Sequence, residues 1–162
     1  MGRDGRFYPN SMFRGAAKIT LDDKGRMVVP ARFREPLIER SQGRLIVTVH
    51  MGGQRLVIYP MDDWIEVERK IMGLSSVNPE TERYQQLMVG LATEQVLDGH
   101  GRMLLPPDLR RLADIERHAV LVGQGSRFEL WEEKRWTDKV DFMLKSGTSK
   151  SDLPPDVGSF SI

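Results

Sequence analysis

The sequence has no cysteine, only three histidines, and no apolar run close to the roughly 18 residues that a membrane-spanning helix needs. Disulfides and thiolate metal sites are therefore excluded. His50, His100 and His118 lack the short spacings of a zinc site. No signal peptide is recognisable. From these absences we expect a cytoplasmic protein with no cofactor, no bound metal and no membrane partner.

What the sequence does contain is an internal repeat. Residues 20–30 recur as residues 96–106, at an offset of 76 positions. Residues 55–59 recur as residues 127–131 at an offset of 72, so the second copy has a shorter internal loop. A duplicated module of roughly fifty residues buries little apolar surface by itself. We therefore expect each copy to need either the other copy or a second subunit.

The signatures of catalysis are missing. There is no nucleophile elbow, and no phosphate-binding glycine loop precedes a predicted helix. The glycine-rich turn at Asp98 is by itself compatible with aspartyl chemistry. The equivalent turn at Asp22 carries Lys24, and a cation beside the carboxylate opposes the shared-proton state that such chemistry needs. From the sequence we therefore expect that the protein is not an enzyme and has no small-molecule substrate.

The net charge of +1 is unevenly distributed along the chain. Residues 1–50 hold ten Lys and Arg against five Asp and Glu, so this part carries +5 and the remainder −4. Six of these cations, against two acids, lie within residues 14–34: Arg14, Lys18, Lys24, Arg26, Arg32 and Arg34. Such an excess indicates either a solvated face or a surface that contacts a polyanion.

Each copy has the pattern of a β hairpin, a short helix opened by proline, and two further strands. For the first copy this predicts strands over residues 17–21 and 26–29 around a turn at Gly25, a helix over 31–35 that Pro36 ends, and strands over 45–50 and 56–59. Glycine suits the turn because it tolerates positive φ. The same order is predicted within residues 95–131.

Three longer helices are predicted around these β modules, over residues 63–72, 79–91 and 132–144. Asp62 and Asn78 are the expected N-caps of the first two. Apolar side chains recur at helical spacing in all three helices. Such stripes are typical of core or subunit contacts.

Both ends of the sequence are polar. Residues 1–11 are expected to form a flexible N-terminal extension, and residues 146–162 are predicted to form a disordered tail. Neither segment has the apolar residues to bury much surface. The patterned part of the chain therefore runs from about residue 12 to residue 145.

Two Asp-x-x-x-Arg motifs, at residues 22–26 and 98–102, are the most specific feature of this part. The sequence also has Met-Phe-Arg-Gly from Met12, Val-Gly-Gln from Val122 and Phe-Glu-Leu-Trp from Phe128. Together these motifs resemble the MraZ family, the bacterial regulators encoded at the head of the division and cell-wall gene cluster.

The resemblance implies an α+β fold. It implies two tandem SpoVT-AbrB-like units whose swapped hairpins form a small pseudo-two-fold β barrel with flanking helices. The implied domains are a first unit over residues 16–63, a helical connection over 64–91, a second unit over 92–136, and the end of a C-terminal helix over 137–145.

The resemblance also implies a function. MraZ-like proteins are DNA-binding transcriptional regulators that usually repress their own operon, as ring-shaped homo-oligomers on short direct repeats upstream of it. Rotational symmetry in a ring points every hairpin the same way around the circumference, which suits direct repeats. The expected partners are therefore DNA and further copies of the chain, and the expected place is the nucleoid.

The first copy is the predicted DNA reader because the two copies are unequal. Its turn offers Lys24 beside an exposed Gly25 backbone, where the second copy has His100. After the proline it has Arg32, where the second copy has Asp108. A narrow basic turn of this kind fits a major groove, in which arginine pairs with guanine.

Two overlapping groups of residues follow as candidate sites. The predicted DNA contacts are Arg14, Lys18, Lys24, Gly25, Arg26, Arg32 and Arg34, with Arg14, Lys18, Arg32 and Arg34 assigned to phosphates. The predicted hairpin braces are Asp22, Arg26, Asp98 and Arg102. For Arg26 both roles remain open, whereas Arg102 is assigned to bracing.

A rival hypothesis from the same residues is a protein-binding scaffold, or an antitoxin-like AbrB relative that neutralises a partner through its tail. Residues 151–156 lack the amphipathic anchors that such a tail would need, which disfavours the antitoxin version. The scaffold version stays open, and it is compatible with DNA binding.

Overall fold

The computed structural model describes residues 12–147 and 149–158, so the predicted extension at residues 1–11 lies outside the described residues. The described strands are β1 (Phe13–Thr20), β2 (Arg26–Val28), β3 (Arg44–Val49), β4 (Leu56–Pro60), β5 (Thr93–Val96), β6 (Arg102–Leu104), β7 (His118–Gly125) and β8 (Arg127–Glu132). The described helices are α1 (Ala31–Ser41), α2 (Met61–Met72), α3 (Pro79–Met88), α4 (Pro107–Leu112), α5 (Glu133–Ser146) and α6 (Pro155–Gly158). The predicted α+β class is confirmed.

The two copies of the repeat interleave. Six strands form one antiparallel sheet in the order β1-β7-β8-β4-β3-β5, and β2 pairs with β6 in a separate two-stranded ribbon. The first strand of copy one, β1, pairs with β7 of copy two. The first strand of copy two, β5, pairs with β3 of copy one. Each copy therefore supplies an edge strand next to the other copy's strands.

The predicted pairing of residues 17–21 with residues 26–29 is wrong. The chain does reverse between them, and a backbone hydrogen bond from Asp22 N to Arg26 O closes the turn at 2.9 Å. Beyond this bond the two arms part. Because β1 gains eight paired positions along β7, and β2 has only three residues, the long-range partner wins over the local one.

The predicted closed barrel is not confirmed. In the described residues β1 and β5 form the two edges of an open sheet. The ribbon of β2 and β6 lies across the core from this sheet, and its side chains Met27 and Met103 are buried in the core.

The main core lies between the inner face of the sheet, the ribbon, α1 and α4. At its centre Phe128 of β8 packs against Phe13 of β1 and Phe33 of α1, with ring centroids 4.2 and 4.9 Å apart. The alternation along each strand explains this face, because Leu56 and Ile58 point inward while Val57 and Tyr59 point to the opposite face.

Helices cover the outer face of the sheet in two groups. Trp64 and Ile71 of α2 pack with Met88 of α3 over β3 and β4. Trp136 of α5 packs against Trp131 of β8, with ring centroids 5.5 Å apart. The apolar stripe of α2 is therefore used mainly inside the chain, whereas Met143 and Leu144 of the α5 stripe are exposed.

Helix boundaries differ from the sequence prediction at two places. Helix α1 does not end at Pro36 but continues through it to Ser41. The burial of Phe33 and Leu37 in the core compensates for the hydrogen bond that proline cannot donate. Helix α2 begins at Met61 with Pro60 at the N-cap position, so Asp62 is not its cap.

The N-cap prediction for α3 is confirmed, because the side chain of Asn78 accepts a hydrogen bond from Glu80 N at 2.9 Å. In the segment predicted to be a disordered tail, the structure has a 3-10 turn at Lys150–Asp152 followed by α6. The described side chains of these two turns are exposed.

Two neighbouring leucines, Leu104 at the end of β6 and Leu105 directly after it, provide a test of this architecture. Leu105 is fully buried, whereas Leu104 faces outward from the ribbon and is 42% exposed. We expect Leu105→Ala to lower the free energy of unfolding by about 2–5 kcal/mol, because it leaves a cavity in the core. Leu104→Ala should change it by less than about 1 kcal/mol. Urea unfolding of both variants checks this, and equal effects would contradict the inward and outward assignment.

Candidate nucleic-acid interface

Each Asp-x-x-x-Arg motif forms a turn closed by its aspartate. In turn 1, residues 22–26, Asp22 Oδ1 accepts hydrogen bonds from Lys24 N at 3.0 Å and Arg26 N at 2.8 Å. Its other oxygen, Oδ2, accepts a hydrogen bond from Arg26 Nε at 2.7 Å. One carboxylate therefore holds two backbone amides and the arginine side chain together.

Turn 2, residues 98–102, repeats this geometry. Asp98 Oδ1 accepts hydrogen bonds from His100 N at 2.8 Å and Arg102 N at 2.9 Å. Asp98 Oδ2 accepts one from Arg102 Nε at 2.8 Å. The backbone hydrogen bond from Arg102 is the main cause that lowers the pKa of Asp98 to about 2, with the Arg102 side chain adding to it. The equivalent bond from Arg26 lowers the pKa of Asp22.

The ribbon of β2 and β6 carries both motif arginines on one outward face. Strand β2 pairs antiparallel with β6, so Arg26 lies opposite Leu104 and Val28 lies opposite Arg102. All four side chains are half-buried or exposed, whereas the alternating Met27 and Met103 point into the core. The two turns therefore lie at opposite ends of one short ribbon.

Each turn is covered by an arginine of the other copy. A Cβ atom at Gly25 would collide with the side chain of Arg110 from α4, and one at Gly101 would collide with Arg34 from α1. Both glycines are buried and have positive φ, 82° for Gly25 and 73° for Gly101. The predicted exposure of the Gly25 backbone is therefore wrong, because Arg110 covers it.

The structure separates Arg34 from turn 1. Its Nη2 donates a hydrogen bond to Val29 O at 3.1 Å, and its side chain lies against Gly101 in turn 2. Arg32 is exposed, and its guanidinium lies over the ring of Phe33, with its carbon 4.7 Å from the ring centroid. Arg32 also approaches Gly15, near the start of β1.

Lys18 and Arg14 lie on β1 at positions that alternate with the core residues Phe13 and Ile19. This alternation places them on the outer face of the sheet, away from the ribbon. Lys18 Nζ is 3.4 Å from Glu133 Oε1 at the start of α5. The predicted basic residues of copy one therefore do not form a single surface.

Lys24 stands out at the tip of turn 1. Its backbone amide binds Asp22, but its ammonium group makes no hydrogen bond or ion pair with the described residues. It is exposed to solvent. Sequence reasoning identified this residue, but it missed Arg110. The approach of Arg110 to turn 1 depends on how the copies interleave, and no local pattern signals it.

Two further observations concern membrane spans and metal binding. Within residues 12–147 and 149–158, no helix is both long and apolar enough to cross a membrane. In the same part of the chain no three His, Cys, Asp or Glu side chains are grouped so that they could hold a metal ion.

A comparison with known families finds a two-part match that separates the two turns. The model of a family described as MraZ protein, putative antitoxin-like, matches residues 12–87 and 88–150. Each match contains one of the two turns. The chain belongs to the MraZ family.

Curated members of the MraZ family are similar over most of their length. The transcriptional regulator MraZ of Thiobacillus denitrificans is 44% identical over 151 residues, which cover 93% of this chain and 100% of the relative. That of Shewanella violacea is 45% identical, over 80% of this chain and 86% of the relative. That of Thioalkalivibrio sulfidiphilus is 46% identical, over 83% and 89%. The similarity to these MraZ relatives therefore extends into both copies of the repeat.

The depressed pKa of Asp98 predicts a pH dependence for this member of the MraZ family. An ionised Asp98 stabilises the folded state above its unfolded pKa of about 3.9, and this contribution is lost as the pH falls towards about 2. We expect Asp98→Asn to lower the urea midpoint at pH 5.5 and to match the wild type near pH 2. Asp108→Asn is the control, since Asp108 is exposed and its one ion pair within the described part of the chain is with Arg111 at 3.5 Å. A difference for Asp98→Asn that persists at pH 2 would contradict this role.

Proposed function

We propose that this chain is a sequence-specific DNA-binding transcriptional regulator that represses its own division and cell-wall operon and is associated with the nucleoid. The observation that carries the proposal is the outward ribbon, which presents Arg26 and Arg102 between two carboxylate-braced turns, with the unpaired Lys24 at one tip. The naming of the relatives as transcriptional regulators, rather than as enzymes, supports the same conclusion.

The ribbon has the shape and the donors that groove recognition needs. A two-stranded ribbon fits the major groove of B-DNA, which is about 12 Å wide. Asp22 engages the Nε of Arg26, and the Nη atoms of Arg26 make no hydrogen bond or ion pair with the described residues. Because arginine has further N–H donors at its end, Arg26 can brace the turn and contact a guanine at the same time. The two roles predicted for Arg26 are therefore compatible.

Turn 1 is the stronger reader in this proposal. Both turns have the same hydrogen bonds, but turn 1 carries Lys24 where turn 2 carries His100. A lysine presents a compact positive charge on a flexible stem, whereas histidine is counted as neutral in the net charge at pH 7. Lys24 therefore gives turn 1 a cationic donor for a phosphate or a guanine edge that turn 2 lacks.

Charge reversal at Lys24 tests this role. We expect Lys24→Glu to weaken binding to upstream operator DNA at least about tenfold, corresponding to about 1.4 kcal/mol, because repulsion replaces an attractive contact. Fluorescence anisotropy against operator and scrambled duplexes at two salt concentrations gives the measurement. Lys70→Glu, an equal charge change at an exposed position on α2, is the matched control.

The same titration discriminates between the hypotheses. A preference for the operator that persists at higher salt supports specific regulation. Equal binding to both duplexes that vanishes with salt would indicate a nonspecific basic surface, and would favour the scaffold hypothesis. Unchanged operator affinity of Lys24→Glu would contradict the assignment of turn 1 as the reader.

We also propose that several copies assemble into a ring that reads short direct repeats. One subunit offers few unpaired cations at its ribbon, so its affinity for DNA would be weak and sensitive to salt. A ring uses heterologous contacts, in which two different patches of each subunit meet. Among the described residues, exposed large apolar side chains are close together in the sequence on α5 and near α2, and we take these as patch A, with Phe142, Met143 and Leu144, and patch B, with Ile65, Met72, Leu74 and Val77.

The patches contain part of the apolar stripes predicted for these helices, namely Met72 of α2 and Met143 and Leu144 of α5. Trp64, Ile71 and Trp136 pack inside the chain, as described above. By contrast, Phe142 is 67% exposed, Leu144 77% and Val77 90%. Large apolar side chains exposed together favour a protein contact.

Mixing two variants tests the ring. Phe142→Asp disables patch A, and Val77→Asp disables patch B, so each variant alone should remain monomeric by light scattering after gel filtration. In an equal mixture, the intact patch A of Val77→Asp can bind the intact patch B of Phe142→Asp. We therefore expect heterodimers but no larger species. A mixture that stays monomeric, or single variants that keep the wild-type mass, would contradict this pairing of patches.

A further inference from the structure

We infer that Arg117, a residue of the second copy, forms the DNA-contact site around turn 1 together with Lys24 by binding a phosphate of the DNA backbone. This inference rests on the proposed DNA binding and extends it to a residue outside the first repeat. It follows from the interleaving of the copies, which places the segment before β7 next to the end of β1.

The contacts of Arg117 place it at turn 1. Its carbonyl oxygen accepts a hydrogen bond from Leu21 N at 2.8 Å, one residue before the turn begins. Its Nη1 lies 3.9 Å from Asp23 Oδ1, and Asp23 is the immediate neighbour of Lys24. The side chain of Arg117 is 62% exposed, so its guanidinium is available to an approaching polyanion.

The pseudo-symmetry of the chain shows that this cation belongs to turn 1 alone. At turn 2 the equivalent hydrogen bond runs from Leu97 N to Gly43 O at 2.9 Å. Gly43 therefore occupies the place of Arg117, and glycine has no side chain to offer. The register agrees, because Thr20 lies opposite His118 at one edge of the sheet and Val96 lies opposite Arg44 at the other.

Turn 1 therefore has two cations in the same place that turn 2 lacks, together with Asp23, where turn 2 has Gly99. Turn 1 combines Lys24 with Arg117, whereas turn 2 combines His100 with Gly43. The ion pair of Arg117 with Asp23 joins exposed groups at the limit of contact distance, and such pairs contribute little. Arg117 can therefore exchange Asp23 for a phosphate at small energetic cost.

The other acidic side chains near Arg117 do not form an ion pair with it among the described residues. Asp114, Glu116 and Glu132 line the same surface depression. Asp114 pairs with Arg135 at 3.2 Å, and Glu132 caps α5 by accepting hydrogen bonds from two backbone amides. Among the described residues Asp23 is the only carboxylate within ion-pair distance of Arg117.

A phosphate contact has a signature that a base contact lacks. Because phosphates are the same in every sequence, Arg117→Ala should weaken binding to operator and scrambled DNA by the same factor, on the order of threefold to tenfold at moderate salt. The negative slope of log affinity against log salt concentration should become shallower by about 0.9, the value for one phosphate contact on duplex DNA.

The control variant is Arg83→Ala. Arg83 is 66% exposed and lies 3.9 Å from Glu80, so it matches Arg117 in exposure and in the distance of its ion pair, but it lies on α3. We expect Arg83→Ala to leave both affinities and the salt slope unchanged. Because Arg83 and Arg117 are both exposed, thermal unfolding should show that both variants fold like the wild type.

A double-mutant cycle tests the exchange with Asp23. Asp23→Asn should strengthen DNA binding in the wild type, because it removes the competing partner of Arg117 as well as a negative charge. In the Arg117→Ala background the gain should be smaller. An equal gain in both backgrounds would mean that Asp23 acts by its own charge alone, and would overturn the exchange.

The outcomes separate this inference from the proposed function. If the wild type prefers the operator and Arg117→Ala matches it in affinity and salt slope, the inference fails while the proposed function stands. If Arg117→Ala loses affinity for the operator alone with an unchanged slope, the phosphate assignment is overturned. If the wild type binds neither duplex, the proposed function and the inference fail together.

Discussion

The interleaved strand pairing is the constraint on which the rest of the structure depends. Neither β1 nor β5 has a sheet partner in its own copy, and β2 pairs only with β6. The main core, which contains Phe13 of copy one and Phe128 of copy two, exists only when both copies are folded together. The same pairing brings α4 over turn 1 and α1 over turn 2, so the surroundings of each turn are set by the opposite half of the chain.

Within this frame the carboxylates of Asp22 and Asp98 fix the turns before any DNA is bound. Each accepts two backbone hydrogen bonds and one from an arginine side chain, and Arg110 or Arg34 packs on the glycine from the other side. A turn held from both sides has little conformational freedom left to lose. Binding through a rigid surface loses less entropy than ordering a flexible one, so under the proposed function this bracing would raise the affinity for DNA without a contact of its own.

The sequence predicts those features that depend on neighbouring residues. The Asp-x-x-x-Arg spacing indicates the turns, and Asn78 followed by proline indicates the start of α3. Features that depend on distant partners were not predictable in this way. A local pattern cannot distinguish pairing of β2 with β1 from pairing with β6, and it cannot show that Arg34 serves turn 2. Pro36 predicted a helix end because local rules ignore the core contacts of Leu37.

The inequality of the two turns affects which operator symmetry would suit a subunit. If both turns of a subunit bore the same side chains, the pseudo-two-fold axis through the ribbon would present two equal readers, and the subunit would suit a palindrome. The backbones of the two turns remain equivalent, since their hydrogen bonds agree within 0.2 Å. Lys24 and Arg117 break the equivalence on one side only. If turn 1 is the dominant reader, as proposed, a subunit would have a direction along DNA. Identical copies related by rotation would then present that direction repeatedly, which is the arrangement that direct repeats match.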